Sequence, residues 1–253
     1  MNDRVERFEK HIRCLESNNE GLKEAVRQLL SEPAMKKKVI YIVGGGPSLA
    51  GLSLASLRKR TTIAVNKSIF DVPDPDHFIT MDFTFLRKIQ HRAVEFQDIH
   101  TNKVFVANLK PSYMKEKHGR IVDVRSDMTY VLKDFNMIVK SYETEGIGYS
   151  FQEFRTGENT GFCALQLAVL LGFKKIYLLG IDLSCGDKTH YHNGYSGQTA
   201  RKFRPKLDKY ATYFITALRE MKRIKPNIQV YSCCETSCLN EVIDYVPYER
   251  ILR

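Results

Sequence analysis

Five consecutive apolar residues, Val39-Ile40-Tyr41-Ile42-Val43, run directly into Gly44-Gly45-Gly46-Pro47-Ser48-Leu49. An uninterrupted apolar run lacks the alternation of a half-exposed strand and predicts a strand covered on both faces, as in a parallel sheet. Three glycines then let the backbone turn tightly and let its N–H groups come close to an anion. The apolar stretch reaching Leu57 predicts a helix after the turn, whose N-terminal dipole would add to the attraction. This turn is not a phosphate loop of the Walker type, because no Lys-Ser/Thr follows the glycines. Nor is it a dinucleotide fingerprint, since Leu49 holds the third glycine position and Asn66, not an acid, ends the next strand.

Downstream, short apolar runs alternate with helical patterns. Strands are expected at 62–65, 77–81, 104–107, 121–124, 175–179 and 228–231, and helices at 83–91, 160–171 and 205–224. Interleaving of this kind predicts an α/β fold, a Rossmann-like and mostly parallel sheet flanked by helices, occupying 34–253. Residues 1–33 form a separate unit. Val5, Ile12, Asn19 and Val26 alternate with Phe8, Leu15, Leu22 and Leu29 at the a and d positions of four heptads. That seam predicts a coiled-coil helix, closed by Pro33, that makes the protein a homo-oligomer through residues 5–29.

Charge divides along the same boundary. The first 33 residues carry six basic and seven acidic side chains, and the rest of the chain 33 against 22. A basic body predicts an anionic partner such as nucleotide phosphate, an acidic glycan, a lipid head group or nucleic acid. No apolar run is long enough to span a bilayer. The N-terminus has no apolar stretch of the secretory type. The six cysteines, at 14, 163, 185, 233, 234 and 238, are then expected as reduced thiols. The expected location is cytoplasmic, with peripheral attachment to a membrane left open.

Two further segments carry candidate chemistry. Gly157-Glu158-Asn159-Thr160-Gly161 enters the helix that precedes Leu178-Leu179-Gly180-Ile181-Asp182. It offers a second anion-receptive helix start, with the Thr160 hydroxyl beside it. Asp182 falls at the C-terminal end of a strand, where ligands bind in open α/β sheets. Then comes Thr189-His190-Tyr191-His192, a loop with an imidazole suited to general acid–base work near neutral pH. A metal site would need His190 or His192 with Cys185, Cys233, Cys234 or Cys238. No Cys-x-x-Cys pair supports one.

Taken in order, VGGGPSL (43–49), VNKS (65–68), the Thr-Gly helix start with ALQLAVLLGFKKIYLLGID (164–182), THY (189–191) and YSCCETSCLNEV (231–242) resemble the bacterial sialyltransferases of glycosyltransferase family 42. They are also similar to the related family of 6-hydroxymethyl-dihydropterin diphosphokinases. The first resemblance implies a nucleotide-sugar donor, CMP-linked in that family, and a hydroxyl acceptor on a glycan or glycolipid. It implies donor binding by Gly44, Gly45, Gly46, Ser48, Asn66, Thr160, Gly161 and Asp182, with Cys234 and Ser237 toward the nucleobase. It makes His190 the general base of an inverting transfer that requires no cofactor or metal. The chain departs from the family in having Gly45 where the family has Asn. Its segment between Asp182 and Thr189 is also short, with Ser184 in place of a tyrosine that steadies the leaving phosphate. Tyr191, Tyr195, Arg201, Lys202 or Arg204 would then supply that stabilisation.

The second resemblance implies an ATP- and magnesium-dependent pyrophosphoryl transfer, for which Asp82 and Asp182 are the available carboxylates. A third reading is a non-catalytic module whose basic run, 201–209, holds nucleic acid or an anionic surface. An ordinary solvated helix face accounts for that run better.

Overall fold

The computed structural model describes residues 39–82, 85–86, 93–107, 114–117, 120–123, 135–183 and 200–251. The coiled-coil expectation for 1–33 lies outside them, and so does most of the helix expected at 83–91.

The ten strands are β1 (Val39–Val43), β2 (Thr62–Val65), β3 (His77–Thr80), β4 (Asn102–Ala107), β5 (Met114–Lys117), β6 (Arg120–Asp123), β7 (Asn136–Val139), β8 (Lys175–Leu179), β9 (Gln229–Ser232) and β10 (Asp244–Tyr245). Eight of them form one sheet in the order β10-β9-β8-β1-β2-β3-β4-β7. Every pairing in it is parallel. The α/β expectation therefore holds. β5 and β6 pair with each other, antiparallel, in a separate ribbon. The strand expected at 121–124 thus lies in that ribbon rather than in the main sheet.

Burial on both faces explains the apolar runs. Along β1, Ile40 and Ile42 face a core shared with the Thr160–Leu170 helix and the Ala200–Ile224 helix. Tyr41 and Val43 face a second core, closed by Leu54, Leu57, Phe85, Leu86, Phe96 and Tyr248. The Thr160 helix is apolar all round and buried at every position from Thr160 to Ala168. A helix with no polar face is one enclosed by the protein.

Three expected helices differ. The stretch from Pro47 to Leu57 is two 3-10 turns, Pro47–Leu49 and Leu54–Leu57, and not an α-helix. Gly51 interrupts it at φ +84°, a left-handed conformation that stops helical propagation. The last helix starts at Ala200, upstream of the expected Pro205, which sits inside it without an amide to donate. The 160–171 helix ends one residue early, with Leu171 as its cap.

One buried polar chain crosses the sheet near its strand starts. His77, 6% exposed, has Nδ1 3.3 Å from Asn102 Nδ2, and Asn136 Nδ2 donates to Asn102 Oδ1 at 2.7 Å. Burial holds the His77 pKa below the ordinary 6.5, and the nearby Asp76 charge only partly offsets it. The neutral ring accepts at Nδ1 and so carries its proton on Nε2. Because the folded pKa is depressed, the unfolded chain takes up this proton first as pH falls. Stability from His77 is therefore present above about pH 6.5 and declines below it. Urea unfolding across that range is expected to show a steeper loss below pH 6.5 for the native chain than for a His77→Gln variant. Equal slopes would show that His77 is not buried neutral.

Candidate functional site

Strand order reverses between β1 and β8: the chain proceeds from β1 toward β7 on one side and from β8 toward β10 on the other. Such a switch point leaves a crevice at the C-terminal ends of the two strands, the usual ligand position in open α/β sheets. The glycine turn lies at one lip and Gly180-Ile181-Asp182-Leu183 at the other.

These lips are bonded to each other. Gly44 N–H donates to Leu179 O and Gly46 N–H to Gly180 O, each at 2.8 Å, so the β1–β8 ladder continues past the strands. Ser48 extends it further, its N–H donating to Asp182 Oδ2 at 2.8 Å and its hydroxyl to Asp182 Oδ1 at 2.5 Å. Asp182 is only 5% exposed, and two donors on a buried carboxylate offset much of its desolvation cost. The anion received by this turn is therefore the protein's own. Of the residues in the turn, Gly45 is half-buried and has no such bond among the described residues.

Glycine is required here by close approach. A Cβ on Gly46 would lie 2.5 Å from the Asp182 carboxyl carbon. One on Gly44 would lie 2.5 Å from both Gly180 O and Ile181 Cδ1. Gly180 combines φ +62° with a Cβ position 2.6 Å from Leu49 Cδ1. The helix start shares the same neighbour, since a Cβ on Gly161 would be 2.8 Å from Ile181 Cδ1. Ile181 thus fills the space between the two glycine-bearing segments, and the sequence-predicted Gly44 and Gly161 both meet it.

At the Thr160 helix, the N-cap is Asn159. Its Oδ1 accepts from Phe162 N–H at 3.2 Å, and its carbonyl from Cys163 N–H at 3.1 Å. The amides of Thr160 and Gly161 then remain without a partner among the described residues. They belong to an eleven-residue helix, whereas the 3-10 turn at Pro47 is too short to supply a dipole. Anion-receptive character is concentrated at this one terminus instead of the expected two.

Asn66 closes the crevice on the β2 side. It adopts φ +53°, and its Oδ1 accepts from the Thr80 hydroxyl at 2.7 Å. Ser68 ties this turn to β1, donating to Val43 O and accepting from Val65 N–H, both at 2.7 Å. Cys234 and Ser237 lie behind the Asp182 lip, 2% and 5% exposed. Burial first, and the Asp182 charge second, raise the Cys234 pKa and keep its sulfur a thiol, which lies 3.5 Å from the Thr236 hydroxyl. Ser237 donates to Ile181 O at 3.3 Å and caps the turn at Leu239. Both support the lip from behind. Asp82, the other carboxylate considered for a cation, accepts from Phe85 N–H at 3.1 Å.

His190, Tyr191 and Tyr195 lie outside the described residues, as do the side chains of Arg201 and Arg204. Gly180, Ile181, Asn159, Ser68 and Thr80 were not singled out from the sequence. Gly180 and Ile181 did fall within LLGID, Ser68 within VNKS and Asn159 within the Gly157–Gly161 segment.

No protein-family model matches the chain, and no curated protein matches it. Among solved structures, it is similar to a sialyltransferase, CST-II, in complex with trisaccharide acceptor and CMP. That alignment has 18% identity and a TM-score of 0.48, covering 83% of this chain and 86% of the other. CstII from Campylobacter jejuni with cytidine-5'-monophosphate aligns at 17% identity and a TM-score of 0.49, over 83% and 85% of the two chains. Cst-I, a monofunctional alpha-2,3-sialyltransferase of the same organism, aligns at 16% and 0.49, over 84% and 81%.

The Ser48–Asp182 bonds are charge-assisted and half-buried. Ser48→Ala is expected to lower the unfolding free energy by about 1.5–3 kcal/mol. Gly46→Ala, which drives a methyl into the carboxylate, should cost at least as much. Urea denaturation reads both, and an unchanged midpoint in the two variants would show that the lips are not bonded in solution.

Proposed function

We propose that this protein is a glycosyltransferase that moves a sugar from a nucleotide-activated donor to a hydroxyl of a glycan or glycolipid acceptor. A CMP-linked donor is the reading that its sequence motifs favour. The observation that carries the proposal is the crevice at the β1–β8 switch point, bordered by the Thr160 and Gly161 amides, which have no partner among the described residues. Phosphate is the natural occupant of such a helix start. In this reading the donor phosphate sits against Thr160 and Gly161, and Gly45 offers the remaining close backbone approach. Asn66 borders the sugar side, and the buried Asp182–Ser48 pair holds the floor without touching the donor's charge.

The chemistry then falls to the loop after Asp182. His190 takes the proton of the acceptor hydroxyl as its oxygen bonds to the anomeric carbon. The bond from that carbon to the phosphate oxygen breaks, and its electron pair leaves with the nucleotide. Attack from the face opposite the leaving group inverts the centre. Tyr191, Tyr195, Arg201 and Arg204 are the residues proposed to stabilise the charge growing on the phosphate. No cofactor is needed for these steps. The magnesium-dependent alternative draws less support, because Asp82 and Asp182 are both engaged with backbone N–H groups.

Isothermal titration with CMP, UDP and ATP, with and without magnesium, is expected to show binding of CMP that is independent of the metal. Binding of ATP alone, and only with magnesium, would overturn the proposal. His190→Ala should lower turnover by about 10²–10⁴-fold while leaving nucleotide affinity nearly unchanged. His192→Ala should cost much less.

A further inference from the structure

We propose that the edge of the sheet at which its strands begin, opposite the crevice, is a docking surface for an anionic lipid bilayer. This inference stands independently of the transfer reaction. Register brings the cations together. Thr62, Tyr41, Tyr177 and Tyr231 are successive partners across β2, β1, β8 and β9. Two residues earlier, Val39, Lys175 and Gln229 are partners in the same way, and Arg60 stands just ahead of β2. Arg60 and Lys175 both act on the Tyr41 hydroxyl electrostatically. Lys174 lies one residue further out, its carbonyl accepting from Gln229 N–H at 2.7 Å. The Ala200–Ile224 helix ends at the same edge with Lys222, Arg223 and then Lys225, all exposed.

None of these six cations forms an ion pair with a described acidic residue. The neighbouring acids are occupied: Asp74 pairs with Arg58 at 3.0 Å, Asp76 accepts from Thr62 N–H at 3.0 Å, and Glu220 accepts from Ile147 N–H at 3.3 Å. Lys222 and Arg223 also complement the negative end of their helix dipole. That role does not extend to Arg60, Lys174 or Lys175. Positive charge in excess of these acids on one edge attracts a polyanion.

Shape and the apolar residues select a bilayer over nucleic acid. The cations are spread over three segments, the lead into β2, the start of β8 and the end of the long helix, a breadth that suits an extended anionic surface. Ile224, 41% exposed, stands between Arg223 and Lys225, placed to enter the interface between lipid head groups. The aromatic residues at this edge form no stacking platform for bases. Tyr41 and Tyr177 are 4% and 7% exposed, stacked on each other at 5.2 Å, with Lys175 over the Tyr177 ring at 5.6 Å. Docked in this way, the protein turns its crevice toward water.

The test is cosedimentation of the full chain with vesicles of phosphatidylcholine alone, or mixed at roughly three to one with phosphatidylserine. Binding is expected only to the anionic vesicles and should fall as salt is raised. The double variant Lys222→Glu with Arg223→Glu should bind them at least about tenfold more weakly, and Lys174→Glu several-fold. Lys206→Glu, exposed in the first half of the same helix, should bind like the native chain, with circular dichroism confirming that each variant is folded. Equal binding to neutral vesicles, or equal loss in the Lys206 variant, would overturn the proposal. So would patch variants that keep vesicle binding but lose binding to a single-stranded oligonucleotide.

Discussion

The arrangement at the C-terminal edge depends on one buried carboxylate. Asp182 belongs to the loop after β8 and is held by Ser48, which belongs to the loop after β1. These two strands diverge in chain direction on either side of the switch point, and the loops that leave them would otherwise separate. Three successive amide donors at Gly44, Gly46 and Ser48 prevent that. The glycines follow from the same constraint, since any side chain at 44 or 46 would occupy space taken by Gly180, Ile181 or Asp182. Cys234 and Ser237 then pack behind the loop and keep it from relaxing toward β9. The floor of the crevice is therefore bonded internally, and the Thr160 and Gly161 amides at its rim have no partner among the described residues.

Separation of charge gives the molecule two different ends. The Thr160 and Gly161 amides, without a partner among the described residues, stand at the strand ends, where the proposal seats a single phosphate group. Side-chain cations from three segments stand at the strand starts, where the proposal seats a broad anionic surface. A parallel sheet produces this polarity by itself, because every strand presents its beginning at one edge and its end at the other.

Much of the architecture was legible in the sequence. β1, β2, β3 and β8 announced themselves because strands buried on both faces carry mostly apolar residues without a polar alternation. β5, Met114-Lys115-Glu116-Lys117, carries no such signal, with three charged residues in four. β7 is short and begins with Asn136, and β10 has only two residues. The helix expected through Leu57 followed the apolar content of the segment, which the left-handed Gly51 overrides. At the site, the glycines of GGGPSL predict room for a phosphate, whereas the space at Gly44 and Gly46 is filled by Gly180, Ile181 and the Asp182 carboxylate. A sequence shows that a position must be bare without showing what approaches it. The partner of Ser48 lies 134 residues away, beyond any local pattern.

The central claim is that a nucleotide occupies the β1–β8 crevice with its phosphate against the Thr160 helix start. Amide hydrogen exchange of the full chain, with and without CMP, tests this residue by residue. The account predicts slowed exchange at Thr160 and Gly161 and at Gly45, with smaller changes in the turn around Asn66. The already bonded amides of Gly44, Gly46 and Ser48 should change little. Protection confined to other parts of the chain, with Thr160 and Gly161 exchanging as fast as before, would contradict it.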